Sequence, residues 1–596
     1  MKIKLSISLC VLFFLFTKNG FSAEREDFNT EKQFYYFKVW GFLKYDHPAI
    51  ASGKADADSV FLSVLPAVDK AGNQAEFNKV LINLLNQLNA VTTPTGVKIT
   101  QSEPLLTKNI DFKWRQKNKF LSGKIKKQLE FIYQNRFTDS LHYYIPARSY
   151  DTDIPHEKGY AFTDSTAIPY AYRMLTLAKI QAAIDYLFPH KYLMDKPWDA
   201  TVKEAIPVFA GVDTRQEYEK TLLLLSAKLN DTHAFSFYKK LKYGRKILHN
   251  RYYQPFDFTI ISDDQVLVTK TIIDEFCTEA DIKTGDIITS MNGRNLSDRI
   301  QELSSLLSAS NKNALLHGIG KFENNLLFYS DSLFCTLTYL RDGISKTTKV
   351  ELVGNQKNDL LSRLNTYLNK KLSADLTSTE TDYVTPEIVR FKIGEMSRFP
   401  ETIPQEKIAA TMDSLLDVSS KAKGLIFDMR DYPYWPAFIY TYVNQKFNLF
   451  LDTSHAQYYA VNKENIGSYQ LLPNPEIYRS VALKPEKFDY KGKVVIIVNG
   501  ATLSLSEFQT MNLQQIFPGS VTIGEPSAGA DGDYKNLMLP GGYNFPFTGN
   551  AIFYPNGKEA QRDGVKIDLL IHPEVRNILN GKDTLLNKAI DLIETK

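Results

Sequence analysis

Val494-Val495-Ile496-Ile497-Val498-Asn499-Gly500, then Ser504-Leu505-Ser506-Glu507, then Gly524-Glu525-Pro526-Ser527-Ala528-Gly529: the fold of this 596-residue chain is decided by how residues 494 to 532 are read. A β-branched run stopped by Asn-Gly reads as a buried strand. The segment Ser504 to Phe517, with Phe508, Met511, Leu513 and Ile516 apolar, reads as the helix leaving its carboxyl end. Ser504 then stands at a helix amino terminus, where its hydroxyl has two readings. With Glu507 it spells a capping box, S-x-x-E, which needs no chemistry. Alternatively, the N–H groups and dipole of that terminus stabilise an oxyanion beside a nucleophilic hydroxyl.

Working outward, the same alternation recurs upstream. A helix near Pro404 to Lys423 leads into Gly424-Leu425-Ile426-Phe427-Asp428-Met429-Arg430, and a further helix is expected from Pro436. Strands alternating with helices imply a largely parallel sheet, with active groups at the carboxyl ends of its strands. Ser504 and the Asp428 to Trp435 turn both fall at such ends. Residues 356 to 384, charged and loop-like, are expected to bound this core.

Before that boundary the pattern is all strand. Phe256 to Ile261 and Val266 to Ile273 are β-like, and Ile282-Lys283-Thr284-Gly285-Asp286-Ile287-Ile288-Thr289-Ser290-Met291-Asn292-Gly293 closes on a hairpin turn. That run resembles the PDZ domain signature. PDZ domains take extended peptides by adding a strand to a sheet edge.

The amino-terminal part reads as helical and internally repeated. Laid on residues 179 to 230 at an offset of 141, residues 38 to 89 bring Lys38 to Lys179, Tyr45 to Tyr186 and Pro48 to Pro189. Pro66 likewise meets Pro207, Phe77 meets Tyr218, Lys79 meets Lys220, and Leu88-Asn89 meets Leu229-Asn230, with no gap. The copies diverge where they end: Ala90-Val91-Thr92 in the first, Asp231-Thr232-His233 in the second. Between them, the polar, Tyr-rich residues 100 to 167 read as a loop-like insertion or a decorated linker.

Composition excludes several classes. With 43% hydrophobic and 23% charged residues the chain has no compositional case for disorder or a coiled coil. Met1 to Ala23 reads as a cleavable signal peptide: Lys2 and Lys4, the apolar Leu5 to Phe16, then Phe21-Ser22-Ala23. Its removal takes the formal charge from +4 to +1, leaving no basic excess to argue for nucleic acid. The apolar stretch is short for a membrane span, so no stable span is expected, and the destination is the periplasm or the exterior. The mature chain keeps only Cys277 and Cys335, which either pair or sit as buried thiols.

With these residues in view, the chain resembles the serine peptidase family that contains the C-terminal processing (tail-specific) proteases and the tricorn core protease. The resemblance runs from about residue 28 to the end. It is carried by the PDZ run, Asp428-Met429-Arg430, Ser504-Leu505-Ser506-Glu507, Gly524-Glu525-Pro526 and Gly564-Val565-Lys566-Ile567-Asp568. It implies a multidomain α+β protein: a signal peptide over 1–23, a helical region over 24–242, a PDZ-like domain over 243–355, and a crotonase/ClpP-like α/β peptidase core over 385–596.

In the tail-specific branch the nucleophile precedes a glutamate by three residues, which falls on Ser504, and a lysine follows the Gly-Glu-Pro-x-x-Gly run as base. Here that position is Ala530. The tricorn branch instead uses a histidine behind a small polar residue, and Thr232-His233 matches it. A serine hydroxyl needs a base to become a nucleophile, and imidazole suits that role near neutral pH.

A carboxylate orienting the imidazole is expected at Glu559, with Gln561 as the alternative register and Asp231 as a local rival. The oxyanion hole would use the N–H of Leu505 and one from the loop after Arg430, at Tyr434. That loop is Asp431-Tyr432-Pro433-Tyr434-Trp435 where relatives often carry Gly-Gly, and Ile567 stands where they carry proline.

The expected function is a serine endopeptidase acting on protein or peptide substrates, with no cofactor. No metal is expected either, since none of the nine histidines forms a His-Glu-x-x-His motif. The alternatives are an inactive peptide-binding protein on the same scaffold, and a Ser/Lys hydrolase with Lys535 as base.

Overall fold

The computed structural model describes residues 27–88, 105–163, 166–328, 330–354, 358–374, 382–447, 456–472 and 488–595. The expected signal peptide lies outside them. Among the described residues no helix is long and apolar enough to cross a membrane. The chain packs as two compact units: residues up to Thr221 with Val461–Gln470 and Lys535–Phe545, and Leu222–Ala460 with Leu471–Tyr534 and Pro546–Lys596.

The first unit is helical: α1 over residues 27–46, α2 (Ala57–Lys70), α3 (Gln74–Gln87), α4 (Gly123–Gln134), α5 (Tyr170–Leu187), α6 (Trp198–Gly211) and α7 (Arg215–Ala227), which continues past Thr221. Starts are set by caps: Asp56 accepts from Ser59 N–H at 2.8 Å and Asn73 from Glu76 N–H at 3.0 Å. Residues 100–167, expected to be loop-like, contain α4, whose Ile125, Leu129 and Ile132 lie on one buried face.

Charged pairs lie between these helices, with Lys38, Lys179, Asp185, Asp58 and Glu157 buried and Asp199 half-exposed. Lys38 Nζ lies 2.9 Å from Asp185 and 3.0 Å from Asp199, while Lys179 Nζ lies 2.9 Å from Asp58 and 3.0 Å from Glu157. Tyr45 and Tyr186 face each other with ring centroids 4.8 Å apart. At Gly41 a Cβ would come 2.9 Å from that of Ala182.

The second unit begins with an antiparallel sheet of β1 (Phe256–Ser262), β2 (Gln265–Thr271), β3 (Ile287–Met291), β4 (Phe334–Arg341) and β5 (Ile344–Glu351), in that spatial order. Asn292 and Gly293, at φ 52° and 74°, make the turn that Asn-Gly favours. Asp286 is held by the Arg341 guanidinium at 2.7 and 2.8 Å. Two helices, α8 (Leu296–Ser304) and α9 (Lys312–Gly320), lie between β3 and β4 in sequence.

The expected boundary loop is largely a helix, α10 (Asn358–Ala374). Its Leu360 and Leu364 pack with Ile273, Phe276, Phe322 and Val353, so it belongs to this sheet's core. Cys277 and Cys335 are free and buried.

A second sheet follows, from β6 (Asp382–Thr385), β7 (Ile388–Lys392), β8 (Gly424–Asp428), β9 (Lys493–Val498), β10 (Val521–Gly524) and β11 (Leu569–Leu570), with spatial order β11-β10-β9-β8-β7-β6. All neighbours are parallel except the edge pair β6 and β7. Both faces are covered, which is why β9 is apolar at successive positions. Val494, Ile496 and Val498 face α11 (Gln405–Ser419) through Met412 and Leu416, and α12 (Leu505–Ile516) through Met511 and Leu513. Val495 and Ile497 face Leu585, Ala589 and Ile593 of α13 (Thr584–Glu594). The helix expected from Pro436 is a π turn, Phe438–Val443, running into Asn444–Phe447.

Gly524 ends β10 at φ 127°, and a Cβ there would sit 2.0 Å from the Val498 carbonyl oxygen. Only glycine lets the two strand ends approach at this point.

Candidate active site

The turn after β9 delivers Ser504 to the start of α12 in a strained conformation, φ 55° and ψ −118°. A serine is rarely held there unless its surroundings over-determine it. They do so through Glu507, which is fully buried. Its carboxylate accepts from Ser527 Oγ at 2.6 Å, Gly529 N–H at 2.8 Å, Ala530 N–H at 2.9 Å and Ser504 N–H at 3.2 Å. Burial pushes this carboxyl up, and the four donors oppose that rise. Glu507 is therefore more than a cap: it ties the serine to the Ser527 to Ala530 stretch that follows Gly524-Glu525-Pro526.

The same network explains two motifs. Ser527 Oγ also accepts from Val565 N–H at 2.9 Å, and Gly564 at φ 82° leaves space for that hydroxyl, which a Cβ would approach to 2.5 Å. Thr502 and Ser506 each donate to the Met429 carbonyl at 2.9 Å, fastening α12 to the end of β8. Ser506 is thereby committed to structure. Arg430 binds Asp428 and Asp583 together, with its two shortest bonds at 2.6 Å, so Asp428-Met429-Arg430 anchors the start of α13.

The Ser504 hydroxyl itself donates to the Gly532 carbonyl at 3.4 Å and meets the Tyr432 phenol. The N–H of Leu505 belongs to the first helical turn, where helix geometry provides no intrahelical acceptor. Tyr434 stands differently. Its N–H bonds the Tyr432 carbonyl at 3.1 Å, and its side chain is 76% exposed.

His233 lies on the turn Thr232–Lys240, which follows α7 through Asn230 at φ 52°. Asp231 caps that turn, accepting from His233 N–H at 3.2 Å. The segment is fixed from the antiparallel domain: Asp231 N–H donates to Ser308 Oγ at 3.1 Å and Thr232 N–H to Ser310 Oγ at 3.0 Å. It is fixed from the Ser504 side as well, because Thr232 Oγ1 donates to the Ala528 carbonyl at 2.9 Å.

The imidazole is almost fully buried. Its Nδ1 lies 2.7 Å from Thr548 Oγ1, and its Nε2 has no hydrogen-bond partner. Thr548 in turn donates to Asp231 through both its hydroxyl, at 2.8 Å, and its N–H, at 2.6 Å. Burial pushes the Asp231 carboxyl up, but the bonds from His233 and Thr548 win and hold it below the usual carboxylate range.

Four contacts bring Ser504 and His233 to one short segment. Ala528 O takes Thr232 and Ala530 O takes Ser504 N–H at 3.1 Å; Gly532 O takes the Ser504 hydroxyl, and the Tyr534 ring lies 6.1 Å from that of His233. Within this segment Asp531 is buried, one oxygen bonded to Gly532 N–H at 2.7 Å and the other without a partner. Burial, then Glu507, push its carboxyl well up.

Three other candidates read from the sequence have these surroundings. The imidazole's Nδ1 meets Thr548, and Asp231 behind it, rather than Glu559, which forms an antiparallel bridge with Phe553. Gln561, the alternative register, is buried with both side-chain polar atoms unbonded. Lys535, the alternative base, donates to the Ser149 and Asp151 carbonyls at 2.6 and 2.9 Å within the first unit. Thr548 escaped the sequence reading: it lies 317 residues from Asp231 and belongs to no recognisable motif.

Residues 392–571 match the model of peptidase family S41. The match spans the α/β part of the chain, from the end of β7 to β11. Among solved structures the chain is similar to mature CPAF complexed with lactacystin, at 12% identity over 71% of this chain and 98% of that one, TM-score 0.48. It is similar to a putative peptidase from Parabacteroides merdae ATCC 43184, at 14% identity over 72% and 98%, TM-score 0.39. A third is the photosystem II D1 C-terminal processing protease, at 14% identity over 71% and 98%, TM-score 0.33. A search of the curated proteins found no match.

Proposed function

We propose that the protein is a secreted or periplasmic serine endopeptidase in which Ser504 forms the acyl-enzyme and His233 is the general base. The observation that carries this reading is the unpartnered Nε2 of a buried His233, whose turn is bonded to the same segment, Ala528 to Tyr534, as a serine held at positive φ on a helix amino terminus. A hydroxyl at such a terminus has an N–H, that of Leu505, aimed where a tetrahedral oxyanion develops. The family match over residues 392–571 supports a peptide or protein substrate.

In the resting arrangement the Ser504 hydroxyl faces Gly532, so it must rotate toward Nε2 for attack. Tyr434 N–H becomes the second oxyanion donor only after it leaves the Tyr432 carbonyl. We read the antiparallel domain over 243–355 as PDZ-like, taking an extended peptide at a sheet edge. We also infer that α1 to α3 and α5 to α7 are two copies of one unit. At the offset of 141, Lys38 pairs with Asp199 and Lys179 with Asp58, while Gly41 faces Ala182 and Tyr45 faces Tyr186.

The test is labelling with a fluorophosphonate together with peptide cleavage. Wild type should label and cleave; Ser504→Ala should do neither, and His233→Ala should lose at least a thousandfold in kcat/KM. Folded wild type that binds peptides without labelling would favour the inactive binder. Cleavage by Ser504→Ala at the wild-type rate would remove the assignment.

A further inference from the structure

We infer that Asp231 and Thr548 form a relay that positions His233, the carboxylate acting on the imidazole through one hydroxyl; this rests on the reading of Ser504 and His233 given above. The direction of each bond follows from counting protons. Asp231, held ionised by its donors, only accepts. The single hydroxyl proton of Thr548 therefore goes to Asp231 Oδ1 at 2.8 Å, leaving its oxygen as acceptor toward His233 Nδ1 at 2.7 Å. Nδ1 must then carry the proton of the neutral ring, and Nε2 is left with a free lone pair. That is the tautomer a general base needs. Nε2 is also the ring atom with no hydrogen-bond partner.

The relay is rigid at both ends. Asp231 is fully buried and its second oxygen takes Thr548 N–H at 2.6 Å, so carboxylate and hydroxyl are locked together by two bonds. Asp231 also caps the turn that carries His233, which fixes the ring's backbone to the same carboxylate. The direct separation of Nδ1 from Asp231 Oδ1 is 3.6 Å, too long for a hydrogen bond and short enough for attraction.

During acylation the Ser504 oxygen bonds to the substrate carbonyl carbon and its proton passes to Nε2. The resulting imidazolium keeps its Nδ1–H on Thr548, and its charge is balanced by Asp231. When the scissile C–N bond breaks, the Nε2 proton leaves with the amine, and the Thr548 proton never moves. The relay thus stabilises charge that exists only after proton transfer, so its loss should lower kcat and leave KM nearly unchanged.

Four variants test this in the full-length protein: Thr548→Val, which removes the hydroxyl at nearly constant volume, Thr548→Ser, Asp231→Asn and Glu559→Gln. Thermal unfolding verifies that each is folded. Thr548→Val and Asp231→Asn are expected to lose about 10²- to 10⁴-fold in kcat with KM within threefold, and Thr548→Ser to recover to within about tenfold of wild type. If Asp231→Asn does not fold, the Val and Ser pair at position 548 decides alone.

Wild-type kcat in folded Thr548→Val overturns the relay while leaving Ser504 and His233 in place. A hundredfold loss in Glu559→Gln alongside that result moves the role to Glu559. Loss in Thr548→Val that Thr548→Ser fails to restore reduces Thr548 to packing. Cleavage by Ser504→Ala or His233→Ala at wild-type rates overturns the underlying reading, and this inference with it.

Discussion

Glu507 shows how one side chain holds a serine in an unfavourable conformation. Its carboxylate gathers four donors from Ser504, Ser527, Gly529 and Ala530, the last three through buried bonds. Buried donors stripped of their acceptor cost about 1–3 kcal/mol each, partly relieved by relaxation. Glu507→Ala should therefore lower the free energy of unfolding by about 3–5 kcal/mol in urea titrations. Glu507→Gln, which keeps one acceptor oxygen, should lose less. An Ala variant as stable as wild type would mean that the strain at Ser504 is carried elsewhere. Sequence reading saw the S-x-x-E spacing but not this role, because three of the four donors lie 20 to 23 residues away along the chain.

At the scale of elements, the helices of the first unit are joined through buried charge. Lys179, on α5, is fully buried between Asp58, on α2, and Glu157. Burial opposes the Lys179 charge, but Glu157 and Asp58 outweigh it and hold its ammonium above the ordinary range. Lys179→Met removes the cation and leaves two carboxylates in low dielectric beside Lys44, which should cost about 3–5 kcal/mol. The double variant Lys179→Met with Asp58→Leu should recover part of that loss, since replacing a buried pair by apolar groups is close to neutral. A double variant no better than the single would show that the pair is not the coupled unit.

Two helices lie in stretches whose composition is charged and polar. Leu360, Leu361, Leu364, Tyr367 and Leu368 recur at helical spacing within the charged stretch 356 to 384, and Ile125, Leu129 and Ile132 do so within the polar stretch 100 to 167. The high density of charged and polar residues hid a periodicity that was present. The strands β8 and β9 and the helix α12 were legible because a parallel strand buried on both faces must be apolar at successive positions.

Across the whole molecule, pH dependence follows from buried titratable groups. His142 bonds the Tyr45 carbonyl through Nε2 at 3.0 Å and accepts Tyr144 N–H at Nδ1 at 3.1 Å, which requires the neutral ring. Burial lowers it from 6.5 to about 4. Below pH 6.5 the unfolded chain binds a proton that the folded chain refuses, so this contribution is complete above 6.5 and is lost as pH falls toward 4. A shift of that size is worth about 3 kcal/mol. Asp46, raised by burial to about 7, works in the opposite sense, its penalty growing as pH rises from 4 to 7.

Comparison with His142→Gln isolates the histidine from such neighbours. The excess stability of wild type over this variant should shrink by about 3 kcal/mol between pH 6.5 and 4. A constant difference would show that His142 is protonated without cost.

That Ala530 stands where a lysine base would, and that His233 is the expected base, follow only from the family resemblance, whereas local patterning was enough to place a strand, a turn and a helix around Ser504. Those are short-range facts: periodicity, turn chemistry and spacing lie in neighbouring residues. The partners of His233 were beyond that reach. Asp231 adjoins it in sequence, but its coupling to the ring passes through Thr548, more than 300 residues on, and the hydroxyl's direction is set only when a buried carboxylate claims its proton. Burial and proximity across such a span arise from packing, so tertiary structure alone turned Asp231 from a rival candidate into the group behind the imidazole.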